Sequence, residues 1–134
     1  MQEFKYQNEI KSSKICDLSG FTEQKRIAFR WVFEDIKDGR NFIPRPFLNP
    51  KTSTDNCKVW GLSLYDTKDN GINRMNKLKA KSRNIYKKLG THIAKGELVN
   101  EDGVSDLVNV DGHFTLIEYI DVDLSQKFSI LGKL

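Results

Sequence analysis

Long apolar runs are absent. No stretch approaches the roughly 20 residues that a membrane-crossing helix needs, so no membrane segment is expected. The opening residues, MQEFKYQNEIKSSK, hold no uninterrupted apolar segment of the kind that marks a secretory signal. The expectation is a cytoplasmic protein, bacterial in style. Cysteine is scarce: Cys16 and Cys57 are the only two, and neither belongs to a CxxC or other close pair. In a reducing compartment both are expected as free thiols, with one Cys16–Cys57 disulfide as the alternative. Together with His92 and His113 they form no recognisable zinc spacing, so no metal site is assigned. The glycines form no phosphate loop, and Ser63 has no G-x-S-x-G context. Helix-turn-helix, RRM and KH patterns are also missing. No cofactor is implied.

What remains is a chain of 134 residues, enough for one ordinary core, with 10% aromatic residues and no low-complexity tract. We read residues 1–134 as a single domain, with 1–20 as a loosely structured N-terminal arm or short edge element. In RIAFRWVFEDI, 26–36, the residues Ile27, Phe29, Trp31 and Phe33 alternate with Ala28, Arg30, Val32 and Glu34, which predicts a strand. All three prolines lie in NFIPRPFLNP, 41–50, which predicts an extended connector. CKVWGLSLYDT, 57–67, predicts the clearest strand, with Trp60, Leu62 and Leu64 on one face. Gly61 and Ser63 on its other face leave room for a packed element or a ligand. Further strands are expected in THIAKGELV, 91–99, and HFTLIEYIDV, 113–122, with less regular elements at VSDLVNV and in the tail. Between them, Ile72, Met75, Leu78, Ile85 and Leu89 recur at helical spacing, with Gly90 as the stop. The fold class is therefore α+β: a mostly antiparallel, curved sheet with one principal amphipathic helix, about 72–89, packed on it.

That helical stretch carries seven Lys or Arg between residues 73 and 90 and no acid, although the net charge of the chain is only +4. Residues 97–123 hold eight acids and no Lys or Arg. Arg74, Lys77, Lys81, Arg83, Lys87 and Lys88 are the candidate contact residues for an anion. The bland reading is a solvated face that pairs with acids elsewhere in the fold. The leading functional reading is a small non-catalytic module that recognises a protein or other anionic partner through this basic helix. Nucleic-acid binding is a further alternative, although no aromatics are interleaved with the basic residues.

Glu118 shares its parity with Phe114, Leu116 and Ile120, so a carboxylate points with the core face and needs a partner; Arg30 is the candidate. His92 and His113 have no neighbour that would build a nucleophilic arrangement in sequence. FRWVFED, FIPRPF, GLSLYDT before a helix, and LIEYI together resemble the ADP-ribosyltransferase fold. By position the resemblance assigns Arg30, Ser63 and Glu118 as catalytic residues. It implies that Arg30 and Ser63 hold NAD and that Glu118 polarises the ribose. Leu62-Ser63-Leu64 stands where that family has Ser-Thr-Ser, and Leu116 stands where it has a second acid. A small NAD-handling enzyme is accordingly the alternative to the binding module.

Overall fold

The computed structural model describes residues 2–134. Six antiparallel strands form one curled, half-barrel sheet: β1 Arg26–Val32, β2 Leu62–Tyr65, β3 His92–Leu98, β4 Gly103–Ser105, β5 His113–Glu118 and β6 Ser129–Lys133. Their order across the sheet is β4-β5-β2-β1-β3-β6. The principal helix, α3, spans Lys68–Lys81, and the fold is α+β as expected. Among the described residues no helix is long and apolar enough to cross a membrane.

Period-two alternation decides which side chains meet. The inner face carries Ala28 and Val32 from β1, Leu62 and Leu64 from β2, and Phe114 and Leu116 from β5, all buried. Leu124 and Phe128, from the segment leading into β6, fold back over this face. Phe128 lies so close to β3 that a Cβ on Gly96 would sit 2.5 Å from its ring, which explains a glycine in mid-strand. On the outer face, Trp31 stands opposite Ile93, and α3 packs over both. Trp31 Nε1 donates to the Gly71 carbonyl at 3.0 Å, and Met75 is fully buried beneath the helix.

Two expected boundaries shift. The helix predicted at 72–89 begins earlier, because Thr67 caps it by accepting from the Asn70 N–H, and it ends at Lys81. Ser82 is extended (φ −148°, ψ 99°), and a separate turn of helix, α4, follows at Tyr86–Leu89. The stretch Ser82-Arg83-Asn84 is poor in helix formers, and the run Lys77, Lys79, Lys81 and Arg83 has no acid to offset its repulsion. Gly90 stops α4 at φ 149°, where the chain presses against Trp31 and no side chain would fit. The strand expected from residue 57 begins only at Leu62. Cys57–Trp60 is a turn of 3-10 helix, held by the Asn56 side chain accepting from the Lys58 N–H. In the proline segment Pro44 precedes a short helix, α2, Arg45–Leu48, rather than an extended connector.

The N-terminal residues carry a short helix, α1, Gln7–Lys11. Phe4 bridges to Tyr119, and Ile10 and Phe21 cover Ile117 on the outer face of β5. Cys16 is bonded to Cys57, with Cα atoms 5.1 Å apart, so the free thiols expected above are replaced by the disulfide alternative. The proximity has a physical cause: Ile15 pairs with Asn56 and brings the two cysteines alongside each other. The bond closes a loop with a sequence separation of 41 residues. Reduction, or Cys16→Ser, is expected to lower unfolding stability by about 2–4 kcal/mol. Urea denaturation with and without reductant checks this; coincident midpoints would contradict it.

Candidate functional site

The sheet is not evenly stitched. β1 pairs with β3 over seven residues, from Arg26↔Leu98 to Val32↔His92, but with β2 at a single position, Phe29↔Tyr65. Beyond that point β1 and β2 part. Arg30 spans the gap: its Nε donates to the Asn41 carbonyl and its Nη1 to the Ser63 carbonyl, both at 2.8 Å. The two carbonyls hold the guanidinium plane across the opening.

Asn41, which the sequence did not mark out, makes this possible. It is 1% exposed, and its side chain accepts from the Phe33 N–H at 2.7 Å and donates to the Asp35 and Ile36 carbonyls. These bonds close the loop that leaves β1 and aim the Asn41 carbonyl at Arg30. An Asn after an Asp-Gly turn is an ordinary loop residue in sequence, and nothing local signals its burial.

A cleft of about 160 Å³ lies where the strands part. Its walls include Trp31, Gly61, Ser63 and Tyr65 from the sheet and its approaches, with Leu48 and Leu89 at the rim. All its charged lining residues are cations: Arg30, Arg40, Arg45 and Lys88. Arg40 is partly neutralised by Asp38, with Nη2–Oδ2 at 2.8 Å, and stacks 3.6 Å from the centre of the Phe33 ring. Arg30, Arg45 and Lys88 have no ion-pair partner among the described residues. Burial lowers the Arg30 pKa to about 10, with Glu118 and Tyr65 opposing, so it stays a cation at neutral pH. A half-buried cation with carbonyl partners alone is electrostatically unbalanced, and an anion in the cleft would correct that.

The three residues assigned through the resemblance do not all meet. Arg30 and Ser63 line the same cleft, and Ser63 is exposed there. The tight approach at Gly61 comes from β5: a Cβ would stand 2.4 Å from Thr115 Cγ2. Glu118 is not part of the cleft lining. It is 2% exposed, and its Oε2 accepts from Lys5 Nζ at 2.9 Å while Oε1 has no hydrogen-bond partner. The expected partner, Arg30, exerts a coulombic pull on Glu118 without forming an ion pair with it. Lys5, 113 positions away, holds that place instead, and no local pattern reveals it.

The basic residues are also divided. Lys88 lines the cleft just described, whereas Arg83 lines a second one with Lys79, Tyr86, His92 and Lys133. Arg74 and Lys77 lie beside Val110 and Asp111, with Lys77 3.9 Å from Asp111, and Arg74 also borders a neighbouring concavity that shares Trp31, Ser63 and Tyr65 with the first cleft. Lys81 and Lys87 are exposed. The break at Ser82 is the reason that these six residues do not form one helical face. His113 packs edge-on against Tyr65 at 5.6 Å, beside Arg74 and Asp111, and burial pushes its pKa down.

The chain matches no family model, no curated protein and no solved structure at significant similarity.

Burial raises the Glu118 pKa above its ordinary 4.5, and Lys5 and Arg30 only partly offset this. From 4.5 upward to the raised value, the folded chain keeps a proton that the unfolded chain releases. This group's contribution to stability therefore falls as pH rises through that window. The stability difference between wild type and Glu118→Gln, followed by denaturation across acidic pH, should shift against wild type on raising the pH. A pH-independent difference would contradict the burial argument.

Proposed function

We propose that this protein is a non-catalytic binding module whose anion seat is the cleft between β1 and β2. The supporting observation is Arg30, a half-buried guanidinium held by two carbonyls in a cleft whose charged lining residues are all cations. Arg45 and Lys88 add exposed charge at the rim, where they can follow an incoming ligand. A planar guanidinium suits the forked geometry of phosphate or carboxylate groups. The contact surface then differs from a single basic helix: of its six residues, Lys88 is the one that reaches this seat. The NAD-handling alternative draws support from the shared position of Arg30 and Ser63. It carries less, because Glu118 is committed to Lys5 and stands outside the cleft lining.

Calorimetric titration with pyrophosphate at low salt tests the reading. Saturable binding at one site is expected. Arg30→Lys keeps the charge but loses the fork, and should weaken binding about tenfold or more. Arg45→Ala and Lys88→Ala, both at exposed positions, should each weaken it about two- to fivefold. The absence of saturable binding, or unchanged affinity in both rim variants, would defeat the assignment.

A further inference from the structure

We propose that the cleft is one end of a track for single-stranded nucleic acid that crosses α4 and continues into the second basic cleft. The inference rests on the anion seat at Arg30 and extends it. α4 separates the two concavities: Lys88 and Leu89 face the first, and Tyr86 faces the second. A helix with its side chains is about 10–12 Å across, so the two cation groups lie too far apart for one small anion to satisfy both. Lys79, Arg83 and Lys133 line the second cleft, and no acidic side chain joins them. Lys87, exposed on α4 between the clefts, has no ion-pair partner among the described residues. Like charges gathered on both sides of one helical turn repel each other, and a ligand with repeated negative charges relieves both groups at once.

The aromatic residues decide which polyanion fits. The second cleft presents Tyr86, half-buried among cations, while the first shows only the margin of Trp31, whose ring already stacks on Tyr65 with centroids 5.3 Å apart. Lys79 Nζ lies 4.8 Å from the centre of the Tyr86 ring. Rings beside phosphate-binding cations are what unpaired bases use for stacking. An acidic peptide has the charge but no bases to place on these rings. A duplex keeps its bases stacked within itself, and this surface is concave, with no long helix or ribbon that could enter a major groove. Tyr86 is the one aromatic residue within the basic segment 73–90, and α4 turns it toward Lys79 and Arg83.

Fluorescence anisotropy with labelled single-stranded RNA and DNA of about twelve nucleotides tests the track, beside the pyrophosphate titration. The oligonucleotide should bind at least about tenfold more tightly than pyrophosphate. Its log affinity should fall against log salt with a slope of about −2 or steeper, as for three or more phosphates at about −0.7 each. Lys79→Ala with Arg83→Ala should weaken oligonucleotide binding about tenfold and leave pyrophosphate binding unchanged. Tyr86→Leu should weaken the oligonucleotide about fivefold or more through lost stacking. Two results overturn the track while leaving the anion seat standing: pyrophosphate binding with an oligonucleotide affinity indifferent to these variants, or competition by polyglutamate as effective as that by RNA. Failure of both ligands to bind overturns the seat and the track together.

Discussion

The arrangement around the site depends on the Arg30 guanidinium and the two carbonyls it joins. Where β1 and β2 part, backbone groups that a continuous ladder would satisfy need other partners. Arg30 supplies donors to Ser63 on β2 and to Asn41 on the loop after β1. Charge-assisted bonds of this kind contribute about 1.5–3 kcal/mol each, more than the neutral ladder bonds they stand in for. The same side chain that closes the sheet therefore charges the cleft that the parting creates. Burial lowers its pKa to about 10 but leaves it protonated, so the cleft is positive at every physiological pH.

The charge asymmetry of the sequence resolves in an unexpected way. The acids of residues 97–123 scarcely neutralise α3; the sole ion pair between them is Lys77–Asp111, at 3.9 Å between exposed groups. Several of the others satisfy nearby backbone donors or pair with lysines outside α3. Asp102 is buried against Lys127 and accepts from the Val99 N–H at 2.8 Å. Asp106 accepts from the Thr115 N–H at 2.7 Å, and Asp123 caps the turn at Ser125. Acids committed to backbone donors, or in the case of Asp102 and Glu118 to Lys127 and Lys5, are not free to meet the cations of the basic segment. That is why the basic segment stays uncompensated.

Much of the fold was legible because it depends on local periodicity. Alternation in 26–32 and 113–118 identified strands, and it set Glu118 with the core face, where it is buried. The recurrence of Ile72, Met75 and Leu78 every three residues, within helical spacing, identified α3. What escaped was set by distant partners. The alternation at Cys57–Trp60 reads as strand, but the disulfide and the Asn56 cap turn it into helix. The apolar spacing at Ile85 and Leu89 continues the helical phase of α3, so a wheel drawn through Ser82 looked unbroken although the backbone is extended there. The cleft was signalled only by the small residues Gly61 and Ser63. Of its charged residues, Arg40 comes from a loop and Arg45 from the start of α2, in a segment whose path the sequence does not specify.

Glu118 and the N-terminal segment show how one such distant contact constrains the rest. A carboxylate 2% exposed on the inner face needs a cation, and Arg30 is already committed to two carbonyls. Lys5 reaches Glu118 because the backbone around Phe4 pairs with β5's continuation: the Lys5 N–H donates to the Glu118 carbonyl at 3.0 Å, and the Ile120 N–H donates to the Glu3 carbonyl at 2.9 Å. Farther along, the disulfide and the packing of Ile10 and Phe21 on Ile117 fasten the same segment. Removing Lys5 would leave a buried charge whose only remaining attraction is to Arg30, at the expense of the carbonyl bonds that hold the cleft open. The N-terminal residues thereby give Glu118 its ion pair, while the Arg30 donors stay with the Asn41 and Ser63 carbonyls.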